Sequence, residues 1–180
     1  MQVFTVPNLF TALRAICIPI FVWLLVSQDR VIEASWLLAA LGATDWVDGY
    51  LARKLDQTTR FGMIFDPVTD RVLFLVAAPL VAIFGDVPWP IVVLTLVREI
   101  IVVAIAAAVW LKYKKALKVS WAGKTGAFFL FFAYPMFLGG STDVFYAPVL
   151  SVGAWVLIIP GLAYGYWSVI ADYSSTSSEM

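Results

Sequence analysis

The chain of 180 residues contains no histidine at all and a single cysteine, Cys17. Without histidine, any general base, proton shuttle or metal ligand must be something else, and carboxylate is the obvious substitute. With one cysteine inside an apolar run, an internal disulfide is excluded and the thiol reads as an inert packing group. Charge is also scarce: Asp, Glu, Lys and Arg make up 13% of the residues, where a soluble domain carries about 25%. The twelve basic and twelve acidic groups cancel, so no global field points to nucleic acid or to any other charged partner. A basic region before the first apolar run is missing too, and Arg14 interrupts that run, so no cleavable signal peptide is expected.

What fills the chain instead is apolar side chain, 62% of all residues. A soluble protein of this length lacks the interior volume to hide that much apolar surface. The expected class is an all-α integral membrane protein, residues 1–180 forming one domain. Six runs approach the ~20 residues needed to cross a bilayer: 9–27, 33–52, 63–84, 90–111, 124–140 and 146–170. Between them lie "SQDR", "RKLDQTTR", "GDVPWP", "KYKKALK" and "GGSTD". Pro7 suits the first turn of a helix with Thr5 as its cap, and residues 8–14 are expected to lie partly along the interface as an N-terminal interfacial segment. Pro67 and Pro160 should kink their spans, and the "SSTSSEM" tail should fray. Arg53, Lys54 and Arg60 in one loop, and Lys112, Lys114, Lys115, Lys118 and Lys124 around another, put both loops and both termini on the cytoplasmic side. The lysine loop serves topology, attraction of an anionic substrate, or both. Trp36, Trp46, Trp89, Trp110, Trp121 and Trp167 fall near span ends, as an aromatic belt does.

The scarce charge is concentrated. Asp45 and Asp48 close the second span, and Asp66 and Asp70 open the third, all at one membrane face. Spacings of three and four residues put each pair on one side of its helix. Gly49, Ala52 and Gly62 flank them, and small residues allow close helix approach or access of a ligand to the backbone. Four carboxylates at membrane depth repel one another, so they must protonate or gather cations. Hard divalent cations take oxygen ligands, and two of them side by side suit phosphoryl chemistry, with Arg53 and Lys54 near enough to hold phosphate oxygens. The plainer reading, interfacial charges in salt bridges, suits Asp56 and Arg60 better than the four spaced aspartates.

These residues fit D-x2-D-G-x2-A-R-x8-G-x3-D-x3-D at every fixed position, from Asp45 to Asp70. The chain thereby resembles the CDP-alcohol phosphotransferase (phosphatidyltransferase) family. The resemblance implies transfer of a phosphatidyl group from CDP-diacylglycerol to an acceptor alcohol with release of CMP. It implies Mg2+ or Mn2+ on Asp45, Asp48 and Asp66, and Asp70 as general base that also touches metal. It implies that Gly49, Ala52, Arg53 and Gly62 hold the cytidine diphosphate, and that the protein is a homodimer among membrane lipids. Asn8, in "PNLFTALR", is similar to a donor contact in bacterial phospholipid synthases of the family, or else is a helix-start polar group. Arg14 either holds the pyrophosphate or snorkels.

The motif leaves the acceptor open. "REI" at 98–100 and "SWAGKTG" at 120–126 resemble members that make phosphatidylglycerophosphate, which implies sn-glycerol 3-phosphate as acceptor. Arg98, Lys124 and Lys112 would then hold its phosphate, arginine offering a fork of donors. The second lysine that those members carry is absent, since Gly126 follows Thr125. This leaves cardiolipin synthesis, with phosphatidylglycerol as acceptor, and phosphatidylinositol phosphate synthesis as alternatives. The bland reading of Arg98 is an ion pair with another helix's carboxylate. A pair with its neighbour Glu99 is not expected, because adjacent residues on a helix point apart. Arg71 reads as an orienting or interfacial charge. From a different class, a divalent-cation transporter would use the acids as a path, but spans four to six carry almost no polar groups beyond Arg98 and Glu99 to extend it.

Overall fold

The computed structural model describes residues 6–27, 30–55, 62–113 and 120–178, with side chains described for 9, 11–27, 30–44, 68–112 and 120–171. Among the described residues six helices follow one another: α1 (Val6–Val26), α2 (Val31–Leu55), α3 (Gly62–Phe84), α4 (Trp89–Tyr113), α5 (Trp121–Gly140) and α6 (Ala147–Ser178). Among the described residues there is no strand. The all-α expectation is met, and five of the six expected spans agree with their helices to within three residues at each end.

The main difference at a boundary is in the tail. α6 runs through Pro160 and on to Ser178, eight residues past the expected end, and so takes in most of the segment expected to fray. Adding a residue to an existing helix is easy compared with nucleating one, so weak helix formers can follow a long apolar run. Residues 8–14 are likewise not a separate interfacial segment: α1 is one uninterrupted helix from Val6, and Thr11 and Arg14 are buried within the bundle.

Among the described residues, two helices, Trp89–Lys112 and Ala147–Ala171, are long and apolar enough to cross a membrane, and only 28% and 22% of their most apolar stretches are buried. A core helix of a soluble protein would be mostly covered. Here Val93, Val97, Ile100 and Val103 on α4, and Val149, Val152, Val156 and Ile159 on α6, face outward. Trp36, Trp89, Trp110, Trp121 and Trp167 are exposed as well, as belt residues would be. The other helices have at least 20 residues, which is about 30 Å of rise. Within the described side chains, α1 and α2 are apolar over Thr11–Val26 and Val31–Thr44.

The core lies between α1, α2, α3 and α5 around Phe21, Leu25, Leu38, Leu73 and Leu130. Phe74 of α3 meets Phe131 and Tyr134 of α5 edge-to-face, with centroids 5.4 and 5.3 Å apart. α5 and α6 pack more closely. A Cβ added to Gly126 would lie 2.7 Å from the backbone nitrogen of Gly165 and 3.0 Å from the carbonyl oxygen of Gly161, so the two helices meet backbone to backbone. Ser120 caps α5 by accepting from the amide of Gly123 at 3.2 Å. At the other end of α5, the Ser141 hydroxyl donates to Leu138 O at 2.8 Å and lies 3.1 Å from Phe84 O, joining the ends of α3 and α5.

Candidate active site

The backbone puts Asp45 and Asp48 in the last three turns of α2, and Asp66 and Asp70 in the first three turns of α3. The side chains of Asp45, Asp48 and Asp66, and those of Asn8, Gly49, Ala52, Arg53 and Gly62, lie outside the described residues. Asp56, Arg60, Lys114, Lys115 and Lys118 do so entirely. Asp70 is therefore the motif acid whose surroundings are visible, and among the described residues no group of three acidic, histidine or cysteine side chains gathers.

Asp70 is held from α1. The Arg14 Nη1 donates to Asp70 Oδ1, with the arginine side chain 1% exposed and the carboxylate 24% exposed. Arg14 thus does not snorkel to the surface. A buried guanidinium is tolerable only against a fixed opposite charge, because its desolvation must be offset locally. Thr11, one turn earlier on α1, is also fully buried.

The next residue, Arg71, belongs to a second group of charges. It pairs with Glu99 Oε2 on α4, while Arg98 Nη1 donates to Glu99 Oε1. Glu99 is 7% and Arg98 3% exposed, whereas Arg71 keeps 36% of its side chain open. The neighbouring pair 98–99, which the helical angle disfavours, forms after all. In an apolar interior neither group has water to turn to, and the long arginine side chain bends round to the carboxylate. Gly165 of α6 makes room for it: a Cβ there would lie 3.1 Å from Arg98 Nε. Both readings weighed for Arg98 and Arg71 are modified by this carboxylate bridge, which spacing along the chain gave no means of finding. Its one visible signal is that Glu99 is the sole acid in the apolar length of α4.

The three basic residues assigned to an acceptor phosphate do not share one place. Lys112 is fourteen residues beyond Arg98 on the same helix, about 21 Å along the axis, too far for both to hold one phosphate. Arg98 lies against Gly165, which lies against Gly126, and Lys124 is two residues before Gly126. Arg98 and Lys124 are thus near one level of the bundle, Lys124 exposed and Arg98 enclosed. Lys112 is separate from both.

A helical bundle in which paired charges link α1, α3 and α4 beside Asp70, the last of the spaced aspartates, fits a lipid-modifying membrane enzyme, and sequence relationships give the class. The profile of the CDP-alcohol phosphatidyltransferase family matches residues 4–163. A Mycobacterium tuberculosis protein named "Putative cardiolipin synthase" is 32% identical over 170 residues, covering 94% of this chain and 81% of the relative. A Haemophilus influenzae protein named CDP-diacylglycerol–glycerol-3-phosphate 3-phosphatidyltransferase is 38% identical over 131 residues, 67% of this chain and 68% of that one. Its Escherichia coli K12 namesake is 37% identical over 128 residues, 67% and 69% of the two chains. The chain belongs to the CDP-alcohol phosphatidyltransferase family. It is a membrane enzyme of phospholipid biosynthesis.

Proposed function

We propose that the enzyme transfers the phosphatidyl group of CDP-diacylglycerol to sn-glycerol 3-phosphate, giving phosphatidylglycerophosphate and CMP. The observation that carries this reading is the arginine-rich line of paired charge beside Asp70: Arg14, Arg71 and Arg98 against Asp70 and Glu99. A site that must accept an anionic headgroup and an anionic acceptor at membrane depth needs fixed cations of this kind. The Haemophilus and Escherichia relatives carry the corresponding name.

In this mechanism Asp70 takes the proton of the acceptor hydroxyl as that oxygen attacks the phosphorus bearing the diacylglycerol. A new phosphorus–oxygen bond forms, the bond to the CMP oxygen breaks, and CMP leaves with the electron pair. Arg14 keeps the Asp70 carboxylate in place from α1 while the lipid tails of the donor remain in the bilayer. Asp45, Asp48 and Asp66, with Asp70, are an all-oxygen set suited to Mg2+ or Mn2+, and their helical positions at one end of the bundle are compatible with it. Bound there, the divalent ions supply charge neutralisation of the pyrophosphate and the leaving group. Gly49, Ala52, Arg53 and Gly62 sit in the same turns of backbone and would hold the cytidine diphosphate, with Asn8 approaching from the start of α1. The reading further includes six spans and a site that faces the cytoplasm.

Cardiolipin synthesis is the second reading. It is favoured by the relative that covers 94% of the chain and by the missing second lysine after Lys124. One experiment separates them. The purified protein is given CDP-diacylglycerol and Mg2+ with glycerol 3-phosphate, phosphatidylglycerol or inositol phosphate in turn, and CMP and the lipid product are measured. CMP formation with glycerol 3-phosphate, lost in Asp70→Asn, supports the first reading. A product formed only from phosphatidylglycerol replaces it with the second, and cation flux into liposomes without CMP would revive transport.

A further inference from the structure

Resting on the glycerol 3-phosphate reading, we infer that Arg71 is the residue that binds the acceptor's phosphate and sets the preference for a phosphorylated alcohol, with Glu99 and Arg98 as the platform that positions it. Three observations lead there. Arg71 is the open member of its group: 36% of its side chain is exposed, against 3% for Arg98 and 7% for Glu99. Arg98, the more obvious candidate, is enclosed between Glu99 and the backbone of Gly165, which leaves Arg71 as the arginine of this group with its side chain open.

The second observation is adjacency. Arg71 follows Asp70 directly, with Cα atoms about 3.8 Å apart and side chains diverging by roughly 100° around α3. Asp70 turns to α1 and Arg71 to α4, each fixed by an ion pair. Glycerol 3-phosphate carries its attacking hydroxyl and its phosphate at opposite ends of three carbons. Laid across α3, it would put the hydroxyl on the Asp70 carboxylate and the phosphate on the Arg71 guanidinium. The third is the bridge itself. Glu99 spends one oxygen on each arginine, which fixes the direction of the Arg71 fork before a ligand arrives. Arg71 still has donors for a ligand, because a guanidinium carries five.

The test uses the full-length protein in detergent with CDP-diacylglycerol and Mg2+, comparing glycerol 3-phosphate with glycerol, which has the same hydroxyls and no phosphate. Arg71→Gln should raise the KM for glycerol 3-phosphate by about tenfold or more, the scale of a lost charge-assisted hydrogen bond, with kcat changing less. The ratio of kcat/KM for glycerol 3-phosphate over glycerol should fall by a similar factor. Arg71→Lys should recover part of it, since lysine keeps the charge and loses the fork. A merely structural role would lower both acceptors together and leave the ratio alone, which overturns the inference. So does an unchanged KM. Should Arg71→Gln not survive purification, the lysine variant decides, because it keeps the pair with Glu99: a KM raised severalfold supports the assignment, an unaltered one removes it. Wild-type protein that ignores glycerol 3-phosphate and uses another acceptor would overturn the functional reading and this inference with it. Wild-type turnover of glycerol 3-phosphate with an insensitive Arg71→Gln would sink the inference alone.

Discussion

The two sides of this bundle are held together by opposite means. Where α1, α3 and α4 meet, charge does it: Arg14 reaches Asp70, and Arg71 and Arg98 share Glu99. Where α5 and α6 meet, the absence of side chains does it, with Gly126 set against Gly161 and Gly165 so that backbone touches backbone. Ion pairs in an apolar interior contribute little net stability, because desolvation cancels most of the attraction. Close backbone packing is the ordinary way membrane helices associate. The charged side is therefore retained for chemistry and the glycine side for rigidity. They touch at one point, where Gly165 backs Arg98, and Tyr166 ties the same stretch of α6 to α4 through Leu94 O at 2.8 Å.

The sharpest way to break the comparison is Asp70→Asn. The amide oxygen can still accept from Arg14, so the helix contact survives while the base is lost. CMP release should fall by about 10²- to 10⁴-fold, the usual range for a general base, with the protein still monodisperse in detergent. Equal loss of activity and fold would show that the charged side is structural after all. Arg14→Met asks the complementary question. It strands the Asp70 carboxylate without its partner, and breaking a buried pair costs about 3–5 kcal/mol; the lower end applies here because Asp70 is about a quarter open. Thermal unfolding in detergent should show the loss. Arg14→Met combined with Asp70→Leu should regain much of that stability with no activity at all, since an apolar pair replaces an ionic one at little net cost.

How much of this was legible beforehand divides along the same line. Apolar length and breakers sufficed for the helices: the third was expected at 63–84 and is Gly62–Phe84. The Asp45–Asp70 spacing pointed to the reaction class because a fixed pattern of residue types in adjacent turns is a local property of the chain. Partnerships between helices were not legible. Nothing in the sequence joins Arg14 to Asp70, 56 residues away, or Arg71 to Glu99, because helix azimuth and neighbour order are set by packing. Lys112 was grouped with Arg98 by residue type alone, and the rise of α4 separates them. The tail was misjudged by composition, which does not register that a long helix already precedes it.

On the glycine side the effects should be smaller and should leave the chemistry in place. Gly126→Ala brings a methyl to 2.7 Å from the Gly165 nitrogen, so α5 and α6 must move apart, at about 1–3 kcal/mol for overpacking of this kind. The unfolding temperature should drop while the kcat of the surviving folded enzyme stays within a few fold. A collapse of kcat instead would mean that the shift passes through Gly165 to Arg98, and that the two sides are mechanically one.

The mildest test is Ser120→Ala. Its hydroxyl caps α5 through the amide of Gly123, the residue before Lys124, and losing such a cap costs about 1 kcal/mol. Stability alone should respond, read as a small fall in the unfolding midpoint with an unaltered KM for the acceptor. If the KM rose instead, the start of α5 would belong to the acceptor's binding site and Lys124 would rejoin the chemistry. An unmoved KM, set against a shifted one in Arg71→Gln, would leave the acceptor between α3 and α4, with α5 and α6 as the frame behind it.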